Sequence, residues 1–347
     1  KLSPEPGMNL NVMMKAVGKT VKGLFVMGED IVLSEPNVKH LEEGLNNTEF
    51  VVCQEPFLNE TTRFADVVFP SAVFAEKDGT FTNSERRVQR VRKAGEPPPL
   101  TRADWQVLMQ LAAACGVQWG FESAADVYAE MVRDAPKFAG ISHERLETEV
   151  HEGKTGLQWP CPTPDHPGTK YLHEGGVLRG KGLFQAVEYR PSLELPDEDY
   201  GLLLSTGRTL YHYNAATQTR REPGLDAKQS EPFIEIHPKD AGKRGIAHGD
   251  FVEVTTRRGR VELRALVSRQ VRRGCIWMAL HFAEARANLL TNDEGDPVTQ
   301  TAEYKVCAAE VRKLADGELP EKQAVGAFMP GGDYGVDGPR PGDGLAD

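Results

Sequence analysis

Two alternating segments around Arg257–Arg260 constrain the fold more than any other feature of the chain. Residues 251–256 and 261–267 alternate apolar and polar side chains, and the four residues between them include Gly259. This pattern is typical of a β-hairpin in which each arm buries one face. Further short strands are predicted at 201–205, 233–236, 275–280 and 307–311. Short strands at this spacing predict a closed β-barrel over residues 199–315.

Residues 1–150 have a different pattern. Leu24–Met27 and Phe50–Cys53 are continuous apolar runs, and Ala65–Pro70 is a third strand that ends at a proline. Helical patterns follow at 37–46, 102–115 and 118–150. Because buried strands that alternate with helices are typical of a doubly wound sheet, this stretch predicts a partial Rossmann-like α/β domain. The fold class is therefore α/β plus β.

Two further segments complete the predicted organisation. Residues 151–198 include a Gly-, Pro- and His-rich stretch and are predicted to connect the α/β domain to the barrel. Residues 316–347 end in a region dominated by Gly, Pro and Asp, which has too little apolar surface to fold by itself. We therefore predict a flexible tail there.

Charge and composition exclude several classes of protein. The formal net charge is -10, which disfavours nucleic acid as a partner because its phosphates require Lys and Arg. No apolar run approaches the ~20 residues of a membrane span, and no N-terminal stretch combines a basic start, an apolar core and a small-residue cleavage site. The five cysteines are odd in number and form no C-x-x-C pair, which favours a reducing compartment. We predict a cytoplasmic protein, and the start at Lys1 rather than Met predicts a fragment, a processed subunit or a trimmed chain.

One polar segment follows a predicted barrel strand and is a candidate for phosphate binding. Gly207 would let a ligand approach the backbone, and Arg208 offers a planar set of donors that suits phosphate. His212 and Asn214 add short-range polar contacts. The alternatives stay open at this point, since the segment is equally a surface turn and His212 alone is more often a structural histidine.

Other candidates lie at the ends of strands. Gln54 and Glu55 end a predicted buried strand, at the edge where α/β sheets bind ligands, although an acid there also serves as a helix cap. The charged run from Glu76 to Arg87 is predicted to be a solvated loop. Lys305 is either a phosphate contact or a solvated cation on the barrel edge. The chain has no nucleophile elbow, P-loop or G-x-G-x-x-G, so no catalytic residue or metal ligand is predicted in it.

Taken together, several segments resemble the molybdopterin oxidoreductase family, also called the DMSO reductase family, and within it the formate dehydrogenase alpha subunits. The resemblance covers about residues 5 to 313. Its motifs are residues 26–30, 54–57, 65–70 and 76–87 in the first half, and 206–221, 287–291 and 303–308 in the second. It implies that the barrel is of the double-psi type.

The resemblance also implies a cofactor and the residues that contact it. In this family two molybdopterin guanine dinucleotides hold one Mo or W atom. The residues implied as cofactor contacts are Gly28, Glu29, Gln54, Glu55, Asn59, Lys77, Asp104, Thr206, Gly207, Arg208, His212, Asn214, Asn288, Tyr304 and Lys305. The sequence departs from the family at Glu55, where Asp is usual, and at Asn59, where Thr is frequent.

The family's catalytic Cys or selenocysteine and its N-terminal iron–sulfur site precede the region that Lys1 matches. We therefore expect this chain to be inactive alone and to act with an N-terminal part and with electron-transfer subunits that carry iron–sulfur clusters. Formate oxidation to carbon dioxide is the expected activity. The alternatives are part of a nitrate reductase-like molybdoenzyme and a non-catalytic assembly module.

Overall fold

The computed structural model describes residues 3–151, 155–177 and 179–315. The chain divides into two compact units. The first, unit 1, comprises Lys1–Cys53, Phe57–Val68 and Arg190–Asp347, and the second, unit 2, comprises Gln54–Pro56 and Phe69–Tyr189. The predicted flexible tail at 316–347 lies outside the described residues.

Twelve strands and eight α-helices are found in the described part of the chain. The strands are β1 (Gly23–Met27), β2 (Phe50–Glu55), β3 (Val67–Pro70), β4 (Gly79–Thr82), β5 (Arg87–Val91), β6 (Leu157–Gln158), β7 (Leu202–Gly207), β8 (Phe233–Ile236), β9 (Phe251–Thr255), β10 (Arg260–Val267), β11 (Cys275–Ala279) and β12 (Cys307–Lys313). The helices are α1 (Leu10–Ala16), α2 (Ile31–Ser34), α3 (Val38–Asn46), α4 (Asp104–Ala114), α5 (Ala124–Asp134), α6 (His143–His151), α7 (Pro223–Asp226) and α8 (Pro238–Lys243).

The predicted barrel is confirmed. Six strands close on themselves in the order β10-β8-β11-β7-β12-β9. The pairs β10–β8 and β11–β7 are parallel, and the other four are antiparallel. The predicted hairpin is the antiparallel pair β9–β10, in which Thr255 faces Arg260. Leu204, Ile234, Val252 and Ile276 are completely buried in the barrel core, as the alternation of their strands requires.

A second core in unit 1 lies against a three-stranded sheet with the strand order β1-β2-β3. Leu24 and Val26 of β1 point into this core, where Val38 and Leu41 of α3 also pack. The predicted strands and the helix at 37–46 are thus present. Whether the sheet belongs to a complete Rossmann-like domain remains a prediction.

Unit 2 corrects the prediction of a solvated loop at 76–87. Residues of that run form β4 and the start of β5, which pair antiparallel, and β5 pairs in turn with β6. Val88 is completely buried there against Tyr128 and Leu146, which belong to α5 and α6. The sequence did not predict these strands because charged residues dominate the run. In β5 only Val88 is completely buried, while Arg87 and Arg90 are partly exposed to solvent.

No helix in the described ranges is both long enough and apolar enough to cross a membrane.

Candidate functional site

The barrel strands bring Thr206, Tyr304 and Lys305 together. β7 ends beyond Thr206 and β12 begins at Cys307, and the two strands are antiparallel partners, so the residues before β12 lie beside the end of β7. The Thr206 hydroxyl donates to the carbonyl of Tyr304 at 2.6 Å, and Lys305 Nζ donates to the carbonyl of Thr206 at 2.7 Å. Thr206 is buried and Lys305 is exposed. The group therefore combines a rigid strand end with one accessible cation.

Gly207 is confined by Trp277 of the neighbouring strand. A Cβ atom at Gly207 would lie 2.6 Å from Trp277 Nε1 and 2.9 Å from its Cζ2. The glycine therefore allows the indole to pack closely against the end of β7, next to Thr206.

The loop after β7 presents an exposed guanidinium group. Arg208 Nη2 donates to Asn214 Oδ1 at 3.3 Å, and its Cζ lies 5.9 Å from the centre of the Tyr213 ring. Asn214 has a φ of 53°, a left-handed conformation that asparagine tolerates better than most residues. Among the described residues the Arg208 guanidinium donates to Asn214, which leaves most of its donors available to an anion from solvent.

His212 is buried, and both of its ring nitrogens lie near protein oxygens. Nε2 is 2.7 Å from the carbonyl of Gln229, and Nδ1 is 3.2 Å from Thr219 Oγ1. Its ring also packs edge-on against His281 at 5.0 Å. A ligand contact at His212 would have to replace one of these hydrogen bonds, which supports the structural alternative.

His281 was not predicted from the sequence. Its ring is completely buried beside His212, and Nε2 lies 3.1 Å from Thr209 Oγ1. Burial, with the nearby His212, Arg220 and Arg208, lowers the pKa of His281 to about 4. A neutral histidine therefore lies beneath the loop that carries Arg208.

A second group of polar residues lies at the turn after β1 and around the helix α2 that follows it. Gly28 has a φ of 67°, and the next residue, Glu29, is exposed. Asn288 Nδ2 donates to the carbonyls of Val32 and Glu35 at 2.8 and 2.7 Å. Its Oδ1 is buried and accepts no hydrogen bond from the described residues.

Glu35 is the second residue that the sequence did not reveal. Burial, with the charge of Glu29, raises the pKa of Glu35 to about 7, and the Ser34 hydroxyl opposes this rise. Burial, with Glu35 and Glu29 nearby, also raises the pKa of Tyr304. The only signal in the sequence was an acid shortly after the Gly28 turn, which is not distinctive.

Unit 2 contains a group formed by Gln54, Lys77 and Asp104. Gln54 Nε2 donates to Asp104 Oδ1 at 2.9 Å, and Lys77 forms an ion pair with the other carboxylate oxygen. Gln54 Oε1 is buried without a hydrogen-bond partner in the part of the chain described here. All three residues were predicted as cofactor contacts from distant positions in the sequence.

Glu55 and Asn59 have mainly local roles in the structure. Glu55 is buried, and its carbonyl accepts from Ser71 N at 3.1 Å. Asn59 Oδ1 accepts from Thr62 N at 3.0 Å at the start of the 3-10 helix Thr61–Phe64, and its Nδ2 is buried with no partner among the described residues.

Each unit contains groups that suit part of a nucleotide. Gln54 Oε1 in unit 2 and, separately, Asn288 Oδ1 in unit 1 are buried acceptors with no donor among the described residues, and the edge of a guanine or pterin would supply one. Arg208 and Lys305 are accessible cations that suit phosphates. No cluster of His, Cys, Asp or Glu suitable for a metal ion is found in residues 3–151, 155–177 and 179–315.

Two parts of the chain match known protein families. The molybdopterin oxidoreductase family matches residues 1–114, and the molydopterin dinucleotide binding domain matches residues 202–308. The chain belongs to the molybdopterin oxidoreductase family. The second match covers most of the barrel, including the whole Thr206–Asn214 segment.

Individual members of the family are similar over most of the chain. The F420-dependent formate dehydrogenase 2 subunit alpha of Methanococcus maripaludis is 44% identical over 90% of this chain and 46% of its own length. The F420-dependent formate dehydrogenase subunit alpha of Methanocaldococcus jannaschii is 41% identical over the same shares. The periplasmic nitrate reductase of Desulfovibrio desulfuricans is 35% identical over 90% of this chain and 44% of its own length. The chain thus spans about half the length of the curated relatives it matches.

A solved structure supports the fold. Acetylene hydratase from Pelobacter acetylenicus superposes with a TM-score of 0.69 over 88% of this chain and 47% of that enzyme, at 18% identity. At this identity the likeness concerns the fold alone.

Proposed function

We propose that this chain is the cofactor-binding C-terminal part of a formate dehydrogenase that oxidises formate to carbon dioxide. The observation that carries the proposal is its identity of 40–44% to three F420-dependent formate dehydrogenase alpha subunits. Nitrate reductases in the same family are 33–35% identical over similar lengths.

The proposed cofactor is a bis-molybdopterin guanine dinucleotide with Mo or W, which supplies two-electron redox chemistry when bound. In unit 1, Thr206, Arg208 and Lys305 would bind phosphates, and the Asn288 amide would orient a polar ring edge. In unit 2, Asp104 and Gln54 would accept from guanine N–H groups, and Lys77 would balance the carboxylate charge. The remaining proposed contacts are Gly28, Glu29, Glu55, Asn59, Gly207, His212, Asn214 and Tyr304.

The complete enzyme would need parts that this chain does not supply. The catalytic metal ligand would be supplied by an N-terminal part, without which this chain is inactive. Iron–sulfur clusters in that part and in partner subunits would carry the electrons away. We further propose that the enzyme is cytoplasmic, that the barrel is of the double-psi type and that the sheet of unit 1 belongs to a Rossmann-like domain.

Cofactor content and activity test this proposal together. The complete catalytic subunit with its partners is purified, its Mo and W are measured, and the pterin and guanine nucleotide released by acid are quantified. We expect Mo or W with two guanine nucleotides per metal and formate-dependent reduction of an artificial electron acceptor. An enzyme that contains the cofactor but does not oxidise formate would contradict the formate assignment.

The nitrate reductase similarity supports a second candidate function. An assay of the same preparation with nitrate and a reduced electron donor distinguishes a nitrate reductase from a formate dehydrogenase. We expect the enzyme to turn over only one of the two substrates. A third alternative is a non-catalytic assembly module. It predicts a folded protein that retains neither pterin nor metal.

A further inference from the structure

A group of exposed cations lies at one end of the barrel. Strands β8 and β10 are parallel and end there, and β11 is antiparallel to β8 and begins there. Helix α8 follows β8, and the loop 268–274 connects β10 to β11. These two segments carry five exposed cations, which we call the basic end: Lys239, Lys243, Arg269, Arg272 and Arg273. The proposed phosphate contacts near the end of β7 lie at the opposite end of the barrel, because β7 is parallel to β11.

Hydrogen bonds hold the two segments of the basic end together. Asp240 of α8 is buried, and its Oδ2 accepts from the backbone N–H of Gly274 at 2.7 Å. At the other end of the loop, the backbone N–H of Ser268 donates to the carbonyl of Ile236 at 3.0 Å. The loop is therefore attached to the region of α8 at both of its ends, which keeps the arginines of the loop beside the lysines of the helix.

The neighbouring cations are paired, whereas those of the basic end are not. Arg244 Nε lies 2.5 Å from Glu310 Oε1, and Lys313 Nζ lies 2.7 Å from Asp250 Oδ2. Within the part of the chain that the structure describes, no carboxylate lies within ion-pair distance of the five cations of the basic end. Like charges this close repel one another, because screening in 0.1 M salt acts only beyond about 10 Å. An anionic partner would remove this repulsion.

The chain itself contains an acidic segment that begins near the basic end. Strand β12 ends beside the loop that follows α8, where the backbone N–H of Leu314 donates to the carbonyl of Phe251 at 3.0 Å. Residues 316–347, which we call the tail, follow directly and contain seven acidic and two basic side chains, a formal charge of -5. The first six residues of the tail include three of these acids, Asp316, Glu318 and Glu321. Six residues can span up to about 20 Å, so these acids are within reach of the basic end.

We propose that the acidic tail of this chain binds the basic end of its own barrel. Each exposed ion pair is weak, but the covalent connection gives the tail an effective concentration in the millimolar range, so several weak pairs are sufficient. A second copy of the chain or an acidic partner subunit would bind the same cations without this advantage. The proposal is independent of the formate dehydrogenase assignment, because no residue of the basic end or of the tail is a proposed cofactor contact.

Three variants of the full chain separate the two sides of this interaction. The patch variant combines Arg269→Gln, Arg272→Gln and Arg273→Gln, and it leaves both lysines of the basic end in place. The tail variant combines Asp316→Asn, Glu318→Gln and Glu321→Gln. The matched control combines Lys39→Gln, Lys228→Gln and Arg260→Gln, which removes the same charge from three exposed positions elsewhere in unit 1. Thermal unfolding should show that all three variants are folded, because substitutions of exposed side chains have small effects on stability.

The first measurement is carbodiimide cross-linking, which joins a carboxylate directly to a lysine amine, in a mixture of unlabelled and ¹⁵N-labelled chains. By mass spectrometry we expect links within one chain between Lys239 or Lys243 and the tail. These links should fall at least about fivefold in the patch variant and in 0.5 M salt, since both weaken the attraction, and should persist in the control. The pair Lys22–Glu49, at 3.3 Å, is the internal standard. If that pair is linked and the tail is not, or if the tail links join labelled to unlabelled chains, the proposal is wrong.

The second measurement is the affinity of each protein for poly-L-glutamate at low salt. We expect the tail variant to bind this polyanion at least about tenfold more tightly than the wild type, because the tail no longer competes for the basic end. In the patch background the tail substitutions should produce no such gain, since the cations that the tail covers are absent. Equal affinities of the wild type and the tail variant would show that the tail does not cover the basic end. A gain of the same size in the patch background would also overturn the proposal, because it would reflect overall charge alone.

Discussion

At the scale of single residues, burial changes the acid–base behaviour of two polar groups that the sequence did not distinguish. Glu35 and His281 are both almost completely buried, and their pKa values move in opposite directions because burial disfavours whichever form is charged. Each therefore makes the stability of the protein depend on pH, with opposite signs.

Glu35 should destabilise the fold as pH rises. Its pKa is about 7 in the folded chain against an ordinary value of 4.5, so the folded state binds the proton more tightly. Stability from this group is present below pH 4.5 and is lost between about pH 4.5 and 7, with a total of about 3 kcal/mol. Glu35→Gln should therefore gain stability relative to wild type as pH rises through this window, as measured by urea unfolding. A difference between the two that does not vary with pH would contradict this.

His281 should destabilise the fold as pH falls. Its pKa is about 4 against an ordinary value of 6.5, so the unfolded chain binds the proton more tightly. Stability from this group is present above pH 6.5 and is lost toward pH 4, again by about 3 kcal/mol. His281→Gln should lose less stability than wild type on acidification, whereas His248→Gln, at an exposed position, should follow the wild-type curve. Parallel curves for all three proteins would show that His281 does not resist protonation.

At the scale of elements, the barrel strands hold the proposed phosphate-binding residues in register. β7 pairs with β11 on one side and with β12 on the other, so the end of β7 is fixed by both neighbours. Gly207 allows this because Trp277 of β11 occupies the space of its missing side chain. The geometry around Thr206 thus depends on how closely two strands pack.

Gly207→Ala should destabilise the barrel by about 1–3 kcal/mol, because the added methyl group overlaps the Trp277 indole. The matched control is Gly242→Ala in α8, where nothing lies within 4 Å of the added atom. That change should stabilise by about 0.4–1 kcal/mol, since alanine restricts the unfolded chain. Thermal unfolding of both variants tests the opposite signs, and equal effects would contradict the packing argument.

At the scale of the whole molecule, the proposed cofactor contacts are divided between the two units. Thr206, Asn288 and Lys305 belong to unit 1, whereas Gln54 and Asp104 belong to unit 2. With a net charge of -10, the protein as a whole repels an anionic dinucleotide, so binding depends on local cations and backbone donors.

This division predicts that each unit retains its own guanine nucleotide. Asp104→Asn and Lys305→Met, made separately in the complete enzyme, should each lower the acid-released guanine nucleotide by up to about half, because each weakens charged hydrogen bonds worth about 1.5–3 kcal/mol. Lys313→Met is the control, since Lys313 pairs with Asp250 and is not a proposed contact. Wild-type nucleotide content in both site variants would exclude these two residues as cofactor contacts.

The amino-acid sequence by itself determined the barrel and its hairpin, because the period of two in Phe251–Val267 follows directly from strand geometry. The family resemblance also predicted Gln54, Lys77 and Asp104 as cofactor contacts, and the structure brings these three side chains together. Tertiary structure alone decided that 79–82 and 87–91 are strands, since pairing with neighbours outweighs a charged local sequence. It also decided the directions in which the pKa values of Glu35 and His281 move, because burial is the largest cause of both shifts and is established only when the chain folds.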